Sequence, residues 1–282
     1  MNFYIVIPAH NEETFLAKTL ESLVTQSLLP KQVVVVNDNS TDGTQQIIDS
    51  FAHQYPFVSG ITITSEGIHA PGSKVINAFY KGFDGLDGRF DVICKFDADL
   101  IFPKNYLKTL AEIFRENEKV GMVGGFCYIQ KNGQWELENL TNKDHIRGAL
   151  KAYRKECFHQ IEGLKKAMGW DTVDELLAQF HGWRIYTDTS LKVKHLKATG
   201  ATYTQGSGQK QGQAFKKMRY GFWLTLIASI KLAVKKGSFG YFWNCLKGYF
   251  GKIDDYLVTE EEGKFIRKLR WRKIRNKLFR QS

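Results

Sequence analysis

Cysteine is scarce and scattered. The 282 residues hold four, Cys94, Cys127, Cys157 and Cys245. No two of them form a C-x-x-C pair, so neither a zinc site nor a thioredoxin-like motif is visible, and all four are expected to be reduced thiols. A chain of this length can bury a substantial core, which excludes a disulfide-stapled miniprotein. Long apolar runs are missing too. A membrane-spanning helix needs about 20 apolar residues, whereas the run 222–234 is broken by Thr225, Ser229 and Lys231, and the aromatic run 239–250 is shorter still. No basic-then-apolar leader opens the sequence, because Phe3-Tyr4-Ile5-Val6-Ile7 meets Pro8 and a polar turn at once. A cytoplasmic protein is therefore expected. No internal repeat or low-complexity segment is evident.

What is present is near the globular average: 43% hydrophobic and 24% charged residues. The net charge of +11 is unevenly spread. Residues 1–208 carry 22 Lys and Arg against 24 Asp and Glu, while residues 209–282 carry 18 against 5. A division into a near-neutral body, 1–208, and a strongly basic tail, 209–282, is expected. The tail should seek anionic partners. The body has no electrostatic footprint for wrapping a duplex, so nucleic acid is not expected there.

The first half alternates β-rich runs with helical stretches, the pattern of an α/β fold with a mostly parallel sheet. Strands are predicted at 3–7, 33–36, 61–64, 92–96 and 121–128, and helices at 12–25, 44–54, 74–83 and 105–117. Val33-Val34-Val35-Val36 is apolar without alternation, as suits a strand buried on both faces. Beyond about residue 130 the pattern weakens. Helices are predicted at 146–158 and 174–180, and a short strand at 190–193.

In such sheets ligands sit beyond the carboxyl ends of the strands. Those positions are polar here: Pro8-Ala9-His10-Asn11-Glu12-Glu13, Asn37-Asp38-Asn39-Ser40-Thr41-Asp42, and Asp97-Ala98-Asp99. A lone Asp-x-Asp is weak, and a solvated turn would explain it equally. If the chain leaves the strand extended, Asp97 and Asp99 project to one side and together could hold a hard cation against a diphosphate. Asp38 could accept from a ribose or base, and Thr41 or Asp42 could cap the next helix.

The segments Ile5–Glu13, Val35–Thr44 and Lys95–Leu107 (IVIPAHNEE, VVNDNSTDGT, KFDADLIFPKNYL) together resemble the family 2 inverting glycosyltransferases. The resemblance covers roughly residues 1–200 with order and spacing intact. It implies a GT-A-like nucleotide-binding sandwich and a nucleotide-diphosphate sugar donor used with Mn²⁺ or Mg²⁺. By the same resemblance Pro8, Ala9, Glu12 and Asp38 would line the nucleoside pocket, Asp97 would meet the ribose or sugar, and Asp99 would hold the metal. Lys74, after Pro71-Gly72-Ser73, would be a diphosphate or base contact, or a surface lysine at a helix start. His195, before Lys197-Ala198-Thr199-Gly200, would close the metal site or be structural.

An inverting transferase needs one general base for the acceptor hydroxyl. In the family this is the Asp of a Glu-Asp pair ahead of a helix ending in Gly-Trp. Counting back from Gly182-Trp183 places Asp171 there. Trp170 replaces the usual Glu, which leaves Asp174 or Glu175 as substitutes, or as acids favouring a helix start. Arg147, Lys151 and Arg154 are expected on the preceding helix, near donor phosphate or acceptor or on a solvated face.

In the tail, Thr259-Glu260-Glu261-Glu262 reads as a capping box. Trp271, Ile274 and Leu278 form an apolar stripe in a basic helix running through Arg280, suited to lying on anionic lipid. The expectation is a peripheral enzyme on the inner face of the cytoplasmic membrane. Its acceptor would be a saccharide or a lipid-linked saccharide, in cell-envelope polysaccharide or glycolipid biosynthesis. Two rivals compete with it. One is a non-catalytic nucleic-acid or anionic-ligand binder acting through the tail. The other is a metal-dependent nucleotidyltransferase or phosphohydrolase, which would leave Asp171 and the nucleoside-pocket motifs unexplained.

Overall fold

The computed structural model describes residues 1–64, 72–138, 144–197 and 207–279. Strand β1 (Phe3–Ala9), helix α1 (Leu16–Val24), β2 (Gln32–Asp38), α2 (Thr44–Gln54), β3 (Val58–Ile63), α3 (Ser73–Phe83) and β4 (Val92–Phe96) form successive β-α units. Their strands lie side by side in the order β3-β2-β1-β4, all parallel. Every residue from Val33 to Val36 is buried, because helices cover both faces of this half-sheet. The third strand starts three residues earlier than its β-rich composition suggests.

The sheet then continues through less regular elements. These are β5 (Leu100–Ile101), α4 (Tyr106–Glu116), β6 (Val120–Lys131), β7 (Gln134–Leu137), β8 (Leu150–Arg154), α5 (Lys155–Gln160), α6 (Trp170–Phe180) and β9 (Arg184–His195). Beyond β4 the order is β8-β6-β9-β5, with β7 paired to β6. β8 runs antiparallel to β4 and β6, β9 parallel to β6, and β5 antiparallel to β9. The architecture is the GT-A-like, mostly parallel sandwich expected. At Gly125 the carbonyl of Leu191 lies 2.2 Å from where a Cβ would stand. Only glycine lets β6 approach β9 this closely, beside a register shift between Gly124 and Phe126.

The helix expected over 146–158 is instead β8 followed by the short α5. The apolar residues Leu150, Tyr153 and Cys157 have helical spacing, but this strand is buried on both faces, and Lys151 is taken inside with partners of its own. Arg154, at the end of β8, pairs with Val92 at the start of β4, the edge opposite the Asp-x-Asp turn. Its guanidinium donates to the carbonyl oxygens of Val120 (2.9 Å), Asn117 (3.2 Å) and Phe114. It holds strand and helix ends together, so the expected role near phosphate or acceptor is corrected to a structural one.

Four helices complete the chain: α7 (Ser207–Lys217), α8 (Phe222–Lys236), α9 (Phe239–Phe250) and α10 (Glu260–Phe279). The capping box is formed as read: the Thr259 amide donates to Glu262 (2.6 Å) and the Glu262 amide to Thr259 Oγ1 (3.3 Å). Helix α10 turns Ile266 and Leu269 inward and sets Phe265 against Phe180 of α6, with Lys273 paired to Asp144 at 2.7 Å. Of the expected stripe, Ile274 packs towards the core and Trp271 is partly exposed. The side chain of Leu278, and Arg280, lie outside the described residues. Among the described residues no helix is long and apolar enough to cross a membrane.

Candidate active site

The polar segments after β1 and β2 are laced together. The Asn11 amide donates to Ser40 (2.9 Å) and the Thr41 amide to Asn11 Oδ1 (2.8 Å), while the Glu12 amide donates to Thr44 (2.8 Å). Asn11 and Asn39 take left-handed φ values of 54° and 55°, a region Asn tolerates better than most residues. Helix α2 begins at Thr44 with Gly43 at its N-cap, so neither Thr41 nor Asp42 holds the expected capping position, although the Thr44 amide donates to Asp42 (3.0 Å) just ahead of the helix. Ala9 and Asp38 are both buried at the strand ends, Ala9 opposite Asn37, with Pro8 half-buried beside Val36. The Glu12 carboxylate receives Lys197 Nζ at 3.0 Å, and its second oxygen is buried with no partner among the described residues. Burial pushes the Glu12 carboxyl above its usual range, against the pull of Lys197 and with the charges of Asp99 and Asp97 adding to the rise.

Lys74 stands in the first turn of α3, half-buried. The helix opens at Gly72, whose φ of 84° requires glycine and whose absent Cβ would lie 2.6 Å from the Ala167 carbonyl oxygen. Ser73 Oγ donates to the Lys166 carbonyl at 3.0 Å. Thus the loop ahead of α6 is pinned to the start of α3. Pro71 lies outside the described residues, as do Ala198, Thr199 and Gly200.

The Asp-x-Asp segment is not extended. Ala98 and Asp99 form a turn between β4 and β5, and the two carboxylates part company. Asp97 pairs with the buried Lys95, whose Nζ also donates to the Gly148 carbonyl (3.1 Å). Asp99 turns inward, because β5 pairs with β9 and sets Leu100 opposite His195. Asp99 Oδ2 lies 3.3 Å from His195 Nε2. His195 Nδ1 faces Glu138 at 2.9 Å, and Glu138 is in turn paired with Arg147. His195 thus stands between two carboxylates, with Nδ1 towards Glu138 and Nε2 towards Asp99.

The other oxygen, Asp99 Oδ1, is buried with no partner among the described residues. A buried carboxylate oxygen left orphaned beside an imidazole nitrogen is costly unless a cation completes it. The donor set therefore fits a divalent metal of the Mn²⁺ type, held by oxygen and nitrogen. Cys127, Glu138 and His195 also offer ligand atoms within 4.8 Å of one another. Burial pushes the Cys127 thiol up to about 12, so without a metal it keeps its proton at neutral pH.

Asp171, in the first turn of α6, keeps 34% of its side chain exposed and lies 3.6 Å from His145 Nε2. His145 Nδ1 meets Glu175 at 3.0 Å. Burial opposes a charged His145, but the hydrogen bonds to Asp171 and Glu175 prevail and raise it to about 9. Burial likewise opposes a charged Asp171, yet the His145 hydrogen bond and the Lys151 charge hold it below the usual carboxylate range.

Asp174 and Glu175 are not placed to act as a general base. Both are buried and committed to the interior. Lys151 Nζ, fully buried on β8, reaches Asp174 at 2.8 and 2.9 Å and Glu175 at 3.2 Å. Tyr153, two residues along the same face of β8, donates to Asp174 at 2.5 Å. Burial and the neighbouring Glu175 raise the Asp174 carboxyl against the pull of Lys151. Trp170, where a Glu was expected, holds its ring 5.5 Å from Lys95 Nζ and 5.8 Å from Lys151 Nζ. An aromatic face thus replaces a carboxylate between two ammonium groups.

Residues 4–165 match the family described as glycosyl transferase family 2. The chain belongs to this family. The chain is 35% identical over 200 residues, 62% of its own length and 44% of the relative's, to a probable glycosyltransferase, YdaM, of Bacillus subtilis (strain 168). It is 25% identical over 285 residues, 92% of its length and 82% of the relative's, to the dolichyl N-acetyl-alpha-D-glucosaminyl phosphate 3-beta-D-2,3-diacetamido-2,3-dideoxy-beta-D-glucuronosyltransferase of Methanococcus voltae. A mannosyltransferase of Pyrobaculum calidifontis, solved with GDP-Man and Mn²⁺, shares the fold. The TM-score is 0.55 at 16% identity, over 75% of this chain and 61% of that one. The chain spans about half the length of the first curated relatives it matches.

Sequence reasoning missed Glu138, His145 and Lys95. For Lys95 a signal existed: a lysine inside Val92-Ile93-Cys94-Lys95-Phe96 must carry its charge into the core and therefore needs a partner. Glu138 and His145 stand in polar surroundings where no local pattern marks them.

Proposed function

We propose that this glycosyltransferase moves a sugar, with inversion, from a nucleotide-diphosphate sugar to a saccharide or lipid-linked acceptor, using Mn²⁺ or Mg²⁺. The observation that carries the reading is the orphaned Asp99 Oδ1 beside His195 at the carboxyl edge of the parallel strands. Asp99 and His195 would hold the cation, which when bound offsets charge on the departing diphosphate. Pro8, Ala9, Glu12 and Asp38 line the nucleoside end of this edge, Lys74 and Asp97 border the donor, and Lys95 fixes Asp97. Asp171, ionised at neutral pH and still open to solvent, takes the proton of the acceptor hydroxyl. His145 orients Asp171 and shares its charge.

Residues 1–208 are proposed as the catalytic domain, and 209–282 as attachment to an anionic membrane surface at the cytoplasmic face. The Methanococcus voltae relative, named for a dolichyl-linked acceptor and aligned over 92% of the chain, supports a lipid-linked acceptor. It also supports a place in cell-envelope polysaccharide or glycolipid synthesis. The test is thermal unfolding with a panel of UDP- and GDP-sugars with and without Mn²⁺ or Mg²⁺. One donor should raise the midpoint only with metal, and Asp99→Asn should abolish the metal-dependent part. Asp171→Asn should bind that donor normally and lose transfer by about a thousandfold or more, as removal of a general base does at the upper end. A panel without any metal-dependent shift refutes the donor assignment.

A further inference from the structure

The helices α8 and α9 each turn an apolar stripe to the outside. On α8 the polar Thr225 and Ser229 are fully buried, while Trp223, Ile227, Ile230 and Val234 face outwards at helical spacing, Trp223 with 66% and Val234 with 77% of its surface exposed. On α9 the buried positions are Cys245 and Gly248, while Phe239 and Trp243 stand 74% and 57% exposed, with Phe250 further along the same stripe. Close approach explains the small inner residues. A Cβ on Gly212 of α7 would lie 1.8 Å from the Cys245 carbonyl oxygen, and one on Gly248 1.9 Å from that of Gln209.

The two stripes form one surface. Phe222 of α8 meets Phe250 of α9 (6.0 Å) at one end, beside Trp223 (5.1 Å), and Phe239, Phe242 and Trp243 cluster within α9. An exposed apolar patch of this extent marks a docking surface. Its charge selects the partner: residues 209–253 contain nine Lys and Arg and no Asp or Glu. Beside Phe250 a cleft of about 290 Å³ is lined by Lys216, Arg219, Arg267, Tyr249 and Tyr256. Glu260 pairs with Arg219 at 2.8 Å, which leaves Lys216 and Arg267 as the cleft's excess cations; aromatic and aliphatic side chains rimmed by a net positive charge match the interfacial region of an anionic bilayer.

We infer that the α8–α9 pair, not α10, is the face that lies in an anionic membrane surface, with Trp223, Trp243 and Phe250 entering the headgroup boundary and the basic cleft meeting lipid phosphate. This rests on the membrane attachment proposed above and locates it. Helix α10, by contrast, uses Phe265, Ile266 and Leu269 to pack on the body.

The experiment is co-sedimentation of the full chain with vesicles of phosphatidylcholine containing about a third phosphatidylglycerol, or of phosphatidylcholine alone, at two salt concentrations. Two variants accompany it, Trp223→Ser/Trp243→Ser and Lys268→Gln/Arg272→Gln on α10, with unfolding midpoints as the folding check. The inference expects binding to the anionic vesicles that weakens with salt. The tryptophan pair should lose about tenfold or more in partitioning, and the α10 pair should lose less. Tryptophan emission should shift to the blue on binding in the parent chain. Equal binding by the tryptophan variant overturns the α8–α9 placement and leaves membrane attachment standing. Absence of any binding by the parent chain overturns both. Conversion of a dimer to a monomer by the tryptophan pair, with vesicle binding unchanged, overturns the inference in favour of a second copy on this face.

Discussion

Replacing His145 by Gln tests the electrostatic design around Asp171. The ring is only 15% exposed and has a carboxylate on each nitrogen, Glu175 at 3.0 Å and Asp171 at 3.6 Å. Although burial opposes its charge, these partners raise it from 6.5 to about 9. At about 1.4 kcal/mol per pH unit, that shift corresponds to about 3 kcal/mol of folded-state stabilisation by the protonated ring. A folded-state value above the unfolded one means that this contribution is fully present below about pH 6.5 and is lost as pH rises through about 9. Urea unfolding of parent and H145Q between about pH 6 and about pH 9.5 should therefore give a stability difference that shrinks by about 3 kcal/mol across the window. Ring proton resonances should place the titration of His145 near the upper end. A ring that titrates near 6.5, or a difference independent of pH, refutes the reasoning.

Lys151→Met leaves Asp174 and Glu175 buried without their cation. It should destabilise the protein by about 3–5 kcal/mol in the same urea assay, and a loss under about 1 kcal/mol would mean that the carboxylates find other partners or protons at little cost. Glu138→Gln removes the carboxylate that faces His195 Nδ1 at 2.9 Å. Calorimetric titration should show Mn²⁺ affinity reduced about 10- to 100-fold, as for other carboxylates behind a ligating imidazole, with metal-free nucleotide binding unaltered. Unchanged Mn²⁺ affinity would remove Glu138 from the site.

Much of the parallel half-sheet was legible in the chain. Val33–Val36 has no polar residue to place outside, so it can only be a strand covered on both faces, and the polar segments after β1, β2 and β4 follow from the rule that such sheets carry chemistry at their carboxyl ends. Strand β8 was illegible for the converse reason. Its Lys151 and Arg154 mimic the wet side of a helix, and only Asp174, Glu175 and Tyr153, distant in sequence or on the strand itself, make Lys151 an interior residue. The tail shows the same limit. Its charge and aromatic content were plain, but Ile266 and Leu269 could be assigned to packing, and Trp223 and Trp243 to the exterior, only once the helices had met.

By itself the sequence determined the α/β class and the positions of Pro8, Ala9, Glu12, Asp38, Asp97 and Asp99 at strand ends, because these depend on local periodicity and on order along the chain, whereas Asp171 was singled out by family resemblance, ahead of a helix that in the structure starts at Trp170. Tertiary structure alone decided that Asp97 and Asp99 separate, that Glu138 and Arg147 stand behind His195, and that Asp174 and Glu175 serve Lys151 while Asp171 stays open. Those outcomes depend on β5 pairing with β9 and on β8 packing beneath α6. A carboxylate acquires its role from the charges and the water that folding brings to it or takes away, and its immediate neighbours in the chain do not fix them.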